Sequence, residues 1–297
     1  MQIEINCEKY ELLSGYQKTD HLRRAFNELS KNIFKLSFED WYQSGYWNDK
    51  YIPYTLFDGD KAVANVSTNI INFKMFGEQK RTIQIGTVMT DEAYRGQSLC
   101  KFLMHRIINE WSKKCDFIYL FSNNSALDLY PKFGFDYVRE YEYFKSITGN
   151  INNRNIEKLD MNIQLNKDRL YDYAKNSNVF GKVSMHENAD LVMFYCTSSL
   201  KENVYYIKSF DTIAVAIYEK NKIHLWDIFC SKEVGLEEIV CSFSNSETNE
   251  VVLGFTPNDT SAYQAREILG DDKLFIQHGK TRLFDENKIM FPLLSHA

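Results

Sequence analysis

The chain has 297 residues, of which 44% are hydrophobic, and a formal net charge of −5. This length allows one large or two medium domains of about 150 residues each, and the hydrophobic content is sufficient for a packed core. An acidic balance without clustered Lys and Arg argues against a general nucleic-acid surface, and no apolar run approaches the roughly 20 residues of a membrane span.

The N-terminal sequence MQIEINCEKYEL lacks the basic and then apolar order of a secretory signal. The six cysteines are scattered without a CxxC pair, at positions 7, 100, 115, 196, 230 and 241. We therefore expect a cytoplasmic protein with reduced, partly buried thiols and no metal site.

The first predicted elements are two helices. Apolar spacing indicates a helix over residues 19–34 that Asp20 could cap, and a second helix is predicted from Ser37. The segment that follows is dense in large aromatic side chains, which usually lie in a core or an interface. They are Trp41, Tyr42, Tyr46, Trp47, Tyr51 and Tyr54.

Three antiparallel strands are predicted next, over residues 54–57, 62–73 and 81–90. The Asp58-Gly59 pair between two apolar runs is a good hairpin signal, and Gly77 marks the second turn.

A strand, a loop and a helix then follow one another. Residues 83–90 form a strand apolar enough to be buried, and Leu99, Leu103, Ile107 and Trp111 recur at helical spacing. The first turn of such a helix offers unpaired backbone N–H groups and the positive end of the helix dipole, which suit a phosphate or diphosphate. On this stretch alone, an ordinary strand-to-helix turn is the favoured interpretation.

A second strand–helix unit follows directly. Residues 116–121 have the length and composition of a strand, and Asn123-Asn124-Ser125 is a helix-cap signal. Ala126, Leu127 and Tyr130 continue as a short helix that ends at Gly134-Phe135.

These residues resemble the acetyl-CoA-binding core of the GCN5-related N-acetyltransferases, the GNAT superfamily. The resemblance is carried by YRGQSLC, by the spacing of Asn123, Ala126 and Tyr130, and by the ending Gly134-Phe135. In the family the loop reads Arg/Gln-x-x-Gly-x-Gly/Ala, whereas this chain has Ser98 and Cys100 at the two glycine positions. Both side chains are small, so we expect a weakened but working loop.

The resemblance implies an α/β (α+β) fold over residues 1–147, with a mixed, mostly antiparallel central sheet flanked by helices. It also implies direct transfer of an acetyl group from acetyl-CoA, as co-substrate, to an amine. Backbone groups of Val88, Met89 and Thr90 would hold the pantetheine, and the loop Arg95, Gly96, Gln97, Ser98, Leu99 and Cys100 would hold the diphosphate. Asn123 would bond the pantetheine arm, and Tyr130 would protonate the leaving sulfur. Simpler roles are a helix cap for Asn123 and packing for Tyr130.

Several points stay open at this stage. The acceptor, a small-molecule or peptide amine, is not encoded in a recognisable motif, and the aromatic segment could wall its pocket instead of packing in a core. A general base is unassigned, because the fourth strand of the family's sheet carries only Gln84, Thr87 and Thr90 as polar candidates. The alternative function is a binding or regulatory module that kept the fold and lost transfer, with Ser98 and Cys100 marking decay.

An Asn-rich segment at residues 148–158 is predicted to be a linker to a second domain over residues 159–297. There we predict helices at 168–174 and 232–243, strands at 191–196, 204–207 and 250–255, and a hairpin of residues 212–218 and 223–229. This order suggests a degenerate GNAT-like unit without the diphosphate motif. Such a unit would not bind CoA, and could cover the acceptor pocket or form a homodimer surface.

Overall fold

The computed structural model describes residues 1–147, 156–178 and 180–296. Its helices are α1 (Asp20–Phe34), α2 (Glu39–Gln43), α3 (Leu99–Trp111), α4 (Gln164–Lys175), α5 (Ala189–Cys196), α6 (Leu236–Phe243) and α7 (Arg282–Asn287). The strands of the first half are β1 (Gln2–Ile5), β2 (Glu8–Ser14), β3 (Tyr51–Asp58), β4 (Lys61–Met75), β5 (Glu78–Thr90), β6 (Phe117–Ser122), β7 (Phe135–Val138) and β8 (Tyr141–Ser146). The later strands are β9 (Ile156–Lys158), β10 (Val183–His186), β11 (Val204–Ile207), β12 (Thr212–Glu219), β13 (Lys222–Phe229), β14 (Glu250–Leu253), β15 (Gln264–Glu267) and β16 (Lys273–Gln277).

The first sheet runs β1-β2-β3-β4-β5-β6-β16-β7, and β10 pairs with the far end of β4. Strands β3, β4 and β5 form the predicted antiparallel meander, whereas β5 and β6 are parallel and are connected by α3. Parallel neighbours require such a crossover. Helix α3 packs on the apolar face formed by residues such as Ile83, Ile85 and Leu120.

The second sheet runs β15-β8-β14-β13-β12-β11-β9. Within it, the hairpin of β12 and β13, helix α6 and the parallel strand β14 repeat the order of β4, β5, α3 and β6. The mixed, mostly antiparallel sheet flanked by helices is confirmed, and the second half has the same kind of α/β arrangement.

Strands cross the predicted domain boundary in both directions. Strand β8, from the first half, pairs with β14 and β15 of the second sheet, and β16 lies between β6 and β7 of the first. Of the predicted linker, residues 148–155 lie outside the described residues, and Ile156–Lys158 form β9. The division into residues 1–147 and 159–297 stays a prediction.

Helix α5 was wrongly predicted as a strand over residues 191–196. Leu191, Val192, Met193 and Cys196 are all at most 4% exposed, because the helix packs against two apolar clusters at once. A helix without a polar face has no 3.6-residue pattern that would distinguish it from a buried strand.

Smaller corrections concern helix ends and the N-terminus. The residue before α1 is Thr19, whose side chain makes no capping hydrogen bond, and Asp20 is the first helical residue. Helix α2 begins at Glu39 rather than Ser37, and the short helix after Asn123 is two 3₁₀ segments, Asn124–Ala126 and Tyr130–Phe133. The β1–β2 hairpin at residues 2–14 was not predicted.

Candidate active site

Strands β5 and β6 stop pairing before either strand ends, and the separation between their unpaired ends is called the cleft. The parallel ladder joins Thr82–Ile85 to Phe117–Leu120, and in the described part of the chain no pair between these strands follows it, although β5 continues to Thr90. Residues 82–85 are fully buried, whereas Gly86, Thr87 and Val88 are partly exposed. The edge of β5 therefore becomes accessible beyond Ile85, in the place where the resemblance put the pantetheine.

The three predicted pantetheine residues lie on this free part of β5. Met89 is buried at 1% exposure and packs with α1 and the aromatic segment, whereas Val88 packs towards α3. Thr90 pairs with Ala64 of β4. The side chains of Met89 and Val88 thus pack in two different apolar clusters. The predicted contacts to pantetheine would therefore come from the backbone of this strand.

The predicted diphosphate loop leads into the N-terminus of α3. Gly96 and Ser98 have positive φ angles of 79° and 63°, and the first helical hydrogen bond runs from the Phe102 N–H to the Ser98 carbonyl oxygen at 3.0 Å. The side chain of Ser98 does not cap the helix. The first-turn N–H groups therefore have no partner within the helix and lie at its positive end, a position that suits an anion.

The N-terminal hairpin holds this loop in place. The Tyr10 hydroxyl donates to Gln97 Oε1 at 2.7 Å, and the Asn6 side-chain amide donates to the Gln97 carbonyl oxygen at 2.9 Å. At the other end of the loop, the Tyr94 hydroxyl donates to Asp58 at 2.7 Å. Sequence reasoning missed Asn6 and Tyr10, because both lie about 90 residues from the loop and in no motif.

Arg95 and Cys100 differ in their surroundings. The Arg95 side chain is 59% exposed and lies 3.5 Å from Glu92, so it is available to an anion at the surface. Cys100 is half-buried in the first turn of α3, and burial raises the pKa of its thiol to about 11. The thiol is neutral near pH 7, so it adds no negative charge beside the loop.

Tyr130 and Cys100 are brought together by the fold. Tyr130 is buried at 6% exposure, and its ring packs against Phe275 with centroids 5.8 Å apart. Burial, with a smaller contribution from Cys100, raises the pKa of Tyr130 to about 12. The phenol thus keeps its proton at physiological pH and lies beside the helix that opens the loop.

Asn123 lies just after the end of β6, at the mouth of the cleft. Its Oδ1 accepts hydrogen bonds from the Ser125 N–H at 3.1 Å and from the Ser125 hydroxyl at 2.6 Å. This is the capping role that the sequence already allowed. Asn123 is exposed, and the pantetheine contact stays a prediction.

The aromatic segment forms a core between the two halves rather than an open wall. Trp41 packs edge-on against Phe194 of α5 with centroids 5.4 Å apart, and its indole N–H donates to the Asp190 carbonyl oxygen at 2.9 Å. Trp41, Tyr46, Trp47 and Tyr51 are at most 8% exposed. The core interpretation therefore holds, and these rings join α2 to the second half.

None of the buried ionisable groups described here outside the motif is assigned as the general base. Burial raises the pKa of Glu140 to about 8 and that of Asp227 to about 7, and it lowers the pKa of His296 to about 4. Glu140 accepts the Phe291 N–H at 2.8 Å, a structural role. In the described ranges no three His, Cys, Asp or Glu side chains form a possible metal site, and no helix there is long and apolar enough to cross a bilayer.

Comparisons with known proteins agree with this geometry. The sequence model of the acetyltransferase (GNAT) family matches residues 18–135, while no curated protein sequence gives a significant match. Among solved structures, a conserved protein from Enterococcus faecalis V583, described as a probable N-acyltransferase, is 11% identical with a TM-score of 0.58. That alignment covers 93% of this chain and 74% of that one.

Two further structures are similar. Eis1 from Mycobacterium abscessus is 13% identical, with a TM-score of 0.54 over 89% of this chain and 72% of that one. A GCN5-related N-acetyltransferase from Kribbella flavida is 14% identical, with a TM-score of 0.53 over 90% and 71%. At such identities the likeness shows the fold alone, over 89–93% of this chain.

Proposed function

Because residues 18–135 match the sequence model of the acetyltransferase (GNAT) family, we propose that this chain is an acyltransferase of that family and transfers an acetyl group from acetyl-CoA directly to an amine. The observation that carries the proposal is the coincidence of three features at one place. The β5–β6 ladder ends at Ile85, α3 presents an uncapped N-terminus after Ser98, and Tyr130 lies beside Cys100 in that helix.

The proposed mechanism uses groups of this chain to hold and stabilise the reactants. The diphosphate lies at the N–H groups of the Arg95–Cys100 loop, and the pantetheine lies along Val88, Met89 and Thr90, with Asn123 at its arm. The acceptor nitrogen attacks the thioester carbonyl, forms the C–N bond and gives a tetrahedral oxyanion. Holding both reactants in line removes much of the entropic barrier. Backbone N–H groups aimed at the developing charge lower the barrier further.

Collapse of the intermediate breaks the C–S bond. The electron pair leaves with sulfur, and the Tyr130 hydroxyl donates its proton to the emerging thiolate. The proton lost by the attacking amine then restores the phenol through solvent. Because the pKa of Tyr130 is raised to about 12, the donor is protonated in the working pH range.

The second half supports a single donor site per chain. Beyond Leu225 the ladder from β13 to β14 also ends, but the backbone there is covered by the chain itself. Asn178 N–H donates to the Cys230 carbonyl oxygen at 2.7 Å, and the Ser177 hydroxyl accepts the Cys230 N–H at 3.1 Å. An added Cβ at Gly254 would lie 2.6 Å from the Trp226 oxygen, so β13 and β14 stay in close contact one residue beyond their ladder, and a small pocket lined by Asp227 and Phe255 follows.

The test is ligand binding followed by turnover. Thermal unfolding is measured with acetyl-CoA, CoA and, as a control, pantetheine without the nucleotide; at 100 times Kd a ligand adds about 2.7 kcal/mol of stability. We expect stabilisation by the first two, and CoA release when a panel of small-molecule and peptide amines is added. Binding without release on every amine would favour the decayed binding module, and absence of binding would contradict a CoA site altogether.

A further inference from the structure

Strand β5 contains a bulge at the apex of the cleft. Its ladder with β4 pairs Gly86 with Ser67 and Met89 with Asn65, so that two residues, Thr87 and Val88, stand opposite Val66. The ladder with β6 has ended just before, at Ile85. A bulge bends its strand and re-aims the groups that follow it. The bulge therefore sets the orientation of the backbone groups of Val88 and Met89.

The bulge is held in a conformation that its own sequence disfavours. Thr87 has a φ of 48°, although it is a β-branched residue. The neighbouring Gly86, which could adopt this conformation more easily, is not the residue that does so. A left-handed conformation costs an L-residue roughly 1–2 kcal/mol, and bulges of this kind usually place glycine there. Surrounding contacts must therefore hold Thr87 in place.

Asn65 provides the principal contact. Its Nδ2 donates to the Thr87 carbonyl oxygen and to the Ser67 hydroxyl, both at 2.9 Å, and its Oδ1 accepts the Thr55 hydroxyl at 2.7 Å. Asn65 is fully buried. Both amide protons and the oxygen are thus used, so the carboxamide has one orientation.

The network continues on both sides of Asn65. Tyr16 donates to the Thr55 hydroxyl, and Tyr51 shares a hydrogen bond of 2.6 Å with the Thr87 hydroxyl. All the network residues apart from Thr87 are at most 6% exposed. Buried polar groups are unfavourable in a core unless they are all satisfied, and a satisfied network fixes one geometry. Here that geometry ends on the strand that forms the cleft.

We propose that Asn65 is a positioning residue for acyl transfer: its carboxamide holds Thr87 in the left-handed conformation and thereby directs the backbone of Val88 and Met89 at the thioester. This inference rests on the proposed function and deepens it. Asn65 does not touch the reacting atoms. It acts through the bulge, and its loss should affect turnover more than binding of the donor, whose diphosphate lies on the Arg95–Cys100 loop.

The decisive comparison uses Asn65→Ala with and without Thr87→Gly. Since misplacement of about 1 Å can cost about 100-fold in rate, Asn65→Ala should lower kcat roughly 10- to 100-fold while the Kd for acetyl-CoA stays nearly constant. Glycine adopts the left-handed conformation without help. The double variant should therefore recover most of the lost kcat.

Two further variants secure the result. Asn188→Ala removes another buried carboxamide, which bonds the backbone of Asn72 and Ile70 at 3.0 Å in the same sheet, and it should leave kcat unchanged. If Asn65→Ala does not fold, Tyr51→Phe takes its place as the test. It removes only the hydroxyl bonded to Thr87 and should lower kcat several-fold.

The outcomes separate the two proposals. If the wild type transfers acetyl groups and Asn65→Ala is equally active, the role of Asn65 is overturned and the proposed function is left intact. A loss of kcat that Thr87→Gly does not recover, or one equalled by Asn188→Ala, would also overturn it. A wild type that releases no CoA on any amine would contradict the proposed function itself, and this inference with it.

Discussion

The carbonyl oxygen of Ser98 accepts the first hydrogen bond of α3, from the N–H of Phe102 at 3.0 Å, while Ser98 itself has a φ of 63°. A serine therefore takes a left-handed conformation at a position where the resembled motif has glycine. The N-terminus of α3 stays uncapped with serine at this position. We therefore expect the serine to cost backbone strain rather than to block the proposed anion site.

Ser98→Gly should therefore stabilise the protein. Removing the backbone strain at Ser98 adds roughly 1–2 kcal/mol to the free energy of unfolding. The larger conformational entropy of glycine in the unfolded state takes away about 0.5–1 kcal/mol. We expect a net gain of about 0.5–1 kcal/mol in the free energy of unfolding, measured by urea titration, and unchanged or tighter binding of CoA.

The control for this change is Ser112→Gly at the other end of α3. Ser112 is exposed and has a φ of −57°, so glycine relieves nothing there. We expect a loss of about 0.5–1 kcal/mol. Equal effects of the two substitutions would show that Ser98 is not strained.

Tyr130→Phe should separate turnover from binding. Removal of a general acid typically lowers the rate by about 10²–10⁴-fold, whereas the ring packing against Phe275 is kept. The Kd for acetyl-CoA should change little, as measured by calorimetry. The matched control is Tyr137→Phe, because Tyr137 contacts the same Phe275 ring with centroids 6.0 Å apart and is 44% exposed; it should leave turnover unchanged.

The pH profile adds a second check on Tyr130. With a pKa of about 12, the phenol should not limit the rate by ionising at any pH up to about 11. A fall in kcat with a midpoint near 10 that disappeared in Tyr130→Phe would contradict the effect of burial.

A fragment of residues 1–147 should not form a stable domain. Without β16, strands β6 and β7 lose the partner that joins them, and buried Leu274, Phe275 and Ile276 are missing from the core. Unpaired strand edges also promote aggregation. We expect no cooperative urea transition for this fragment alone, and recovery on coexpression with residues 156–297. A soluble fragment that unfolds cooperatively and binds CoA would contradict this expectation.

The sequence predicted what is local and periodic. The β3–β5 meander, α3 and the loop at residues 95–100 follow from turns, apolar spacing and a contiguous motif. Strand β16 was not predicted, because its place between β6 and β7 depends on pairing over about 150 residues of chain. The role of Asn65 was equally hidden, since a lone asparagine in a strand carries no signal until the register places it opposite the bulge.

Glu140→Gln should change how stability depends on pH. Glu140 is buried at 7% exposure, and burial raises its pKa from 4.5 to about 8 in the folded protein. Between these values the folded state keeps a proton that the unfolded state has lost. The contribution of Glu140 to the free energy of unfolding therefore falls as pH rises from about 4.5 to 8 and is constant above.

The amide of Gln keeps an oxygen to accept the Phe291 N–H and has no proton to lose. Since each unit of pKa shift corresponds to about 1.4 kcal/mol, the variant should gain on the order of several kcal/mol over the wild type at pH 8 and almost nothing at pH 4. Urea titrations measure the difference in the free energy of unfolding between the variant and the wild type. It should be about 0 at pH 4, intermediate at pH 6 and largest at pH 8. Glu28→Gln, at an exposed carboxylate on α1, should give a curve parallel to that of the wild type. A parallel curve for Glu140→Gln as well would show that Glu140 is ionised in the folded protein and that its bond to Phe291 compensates for burial.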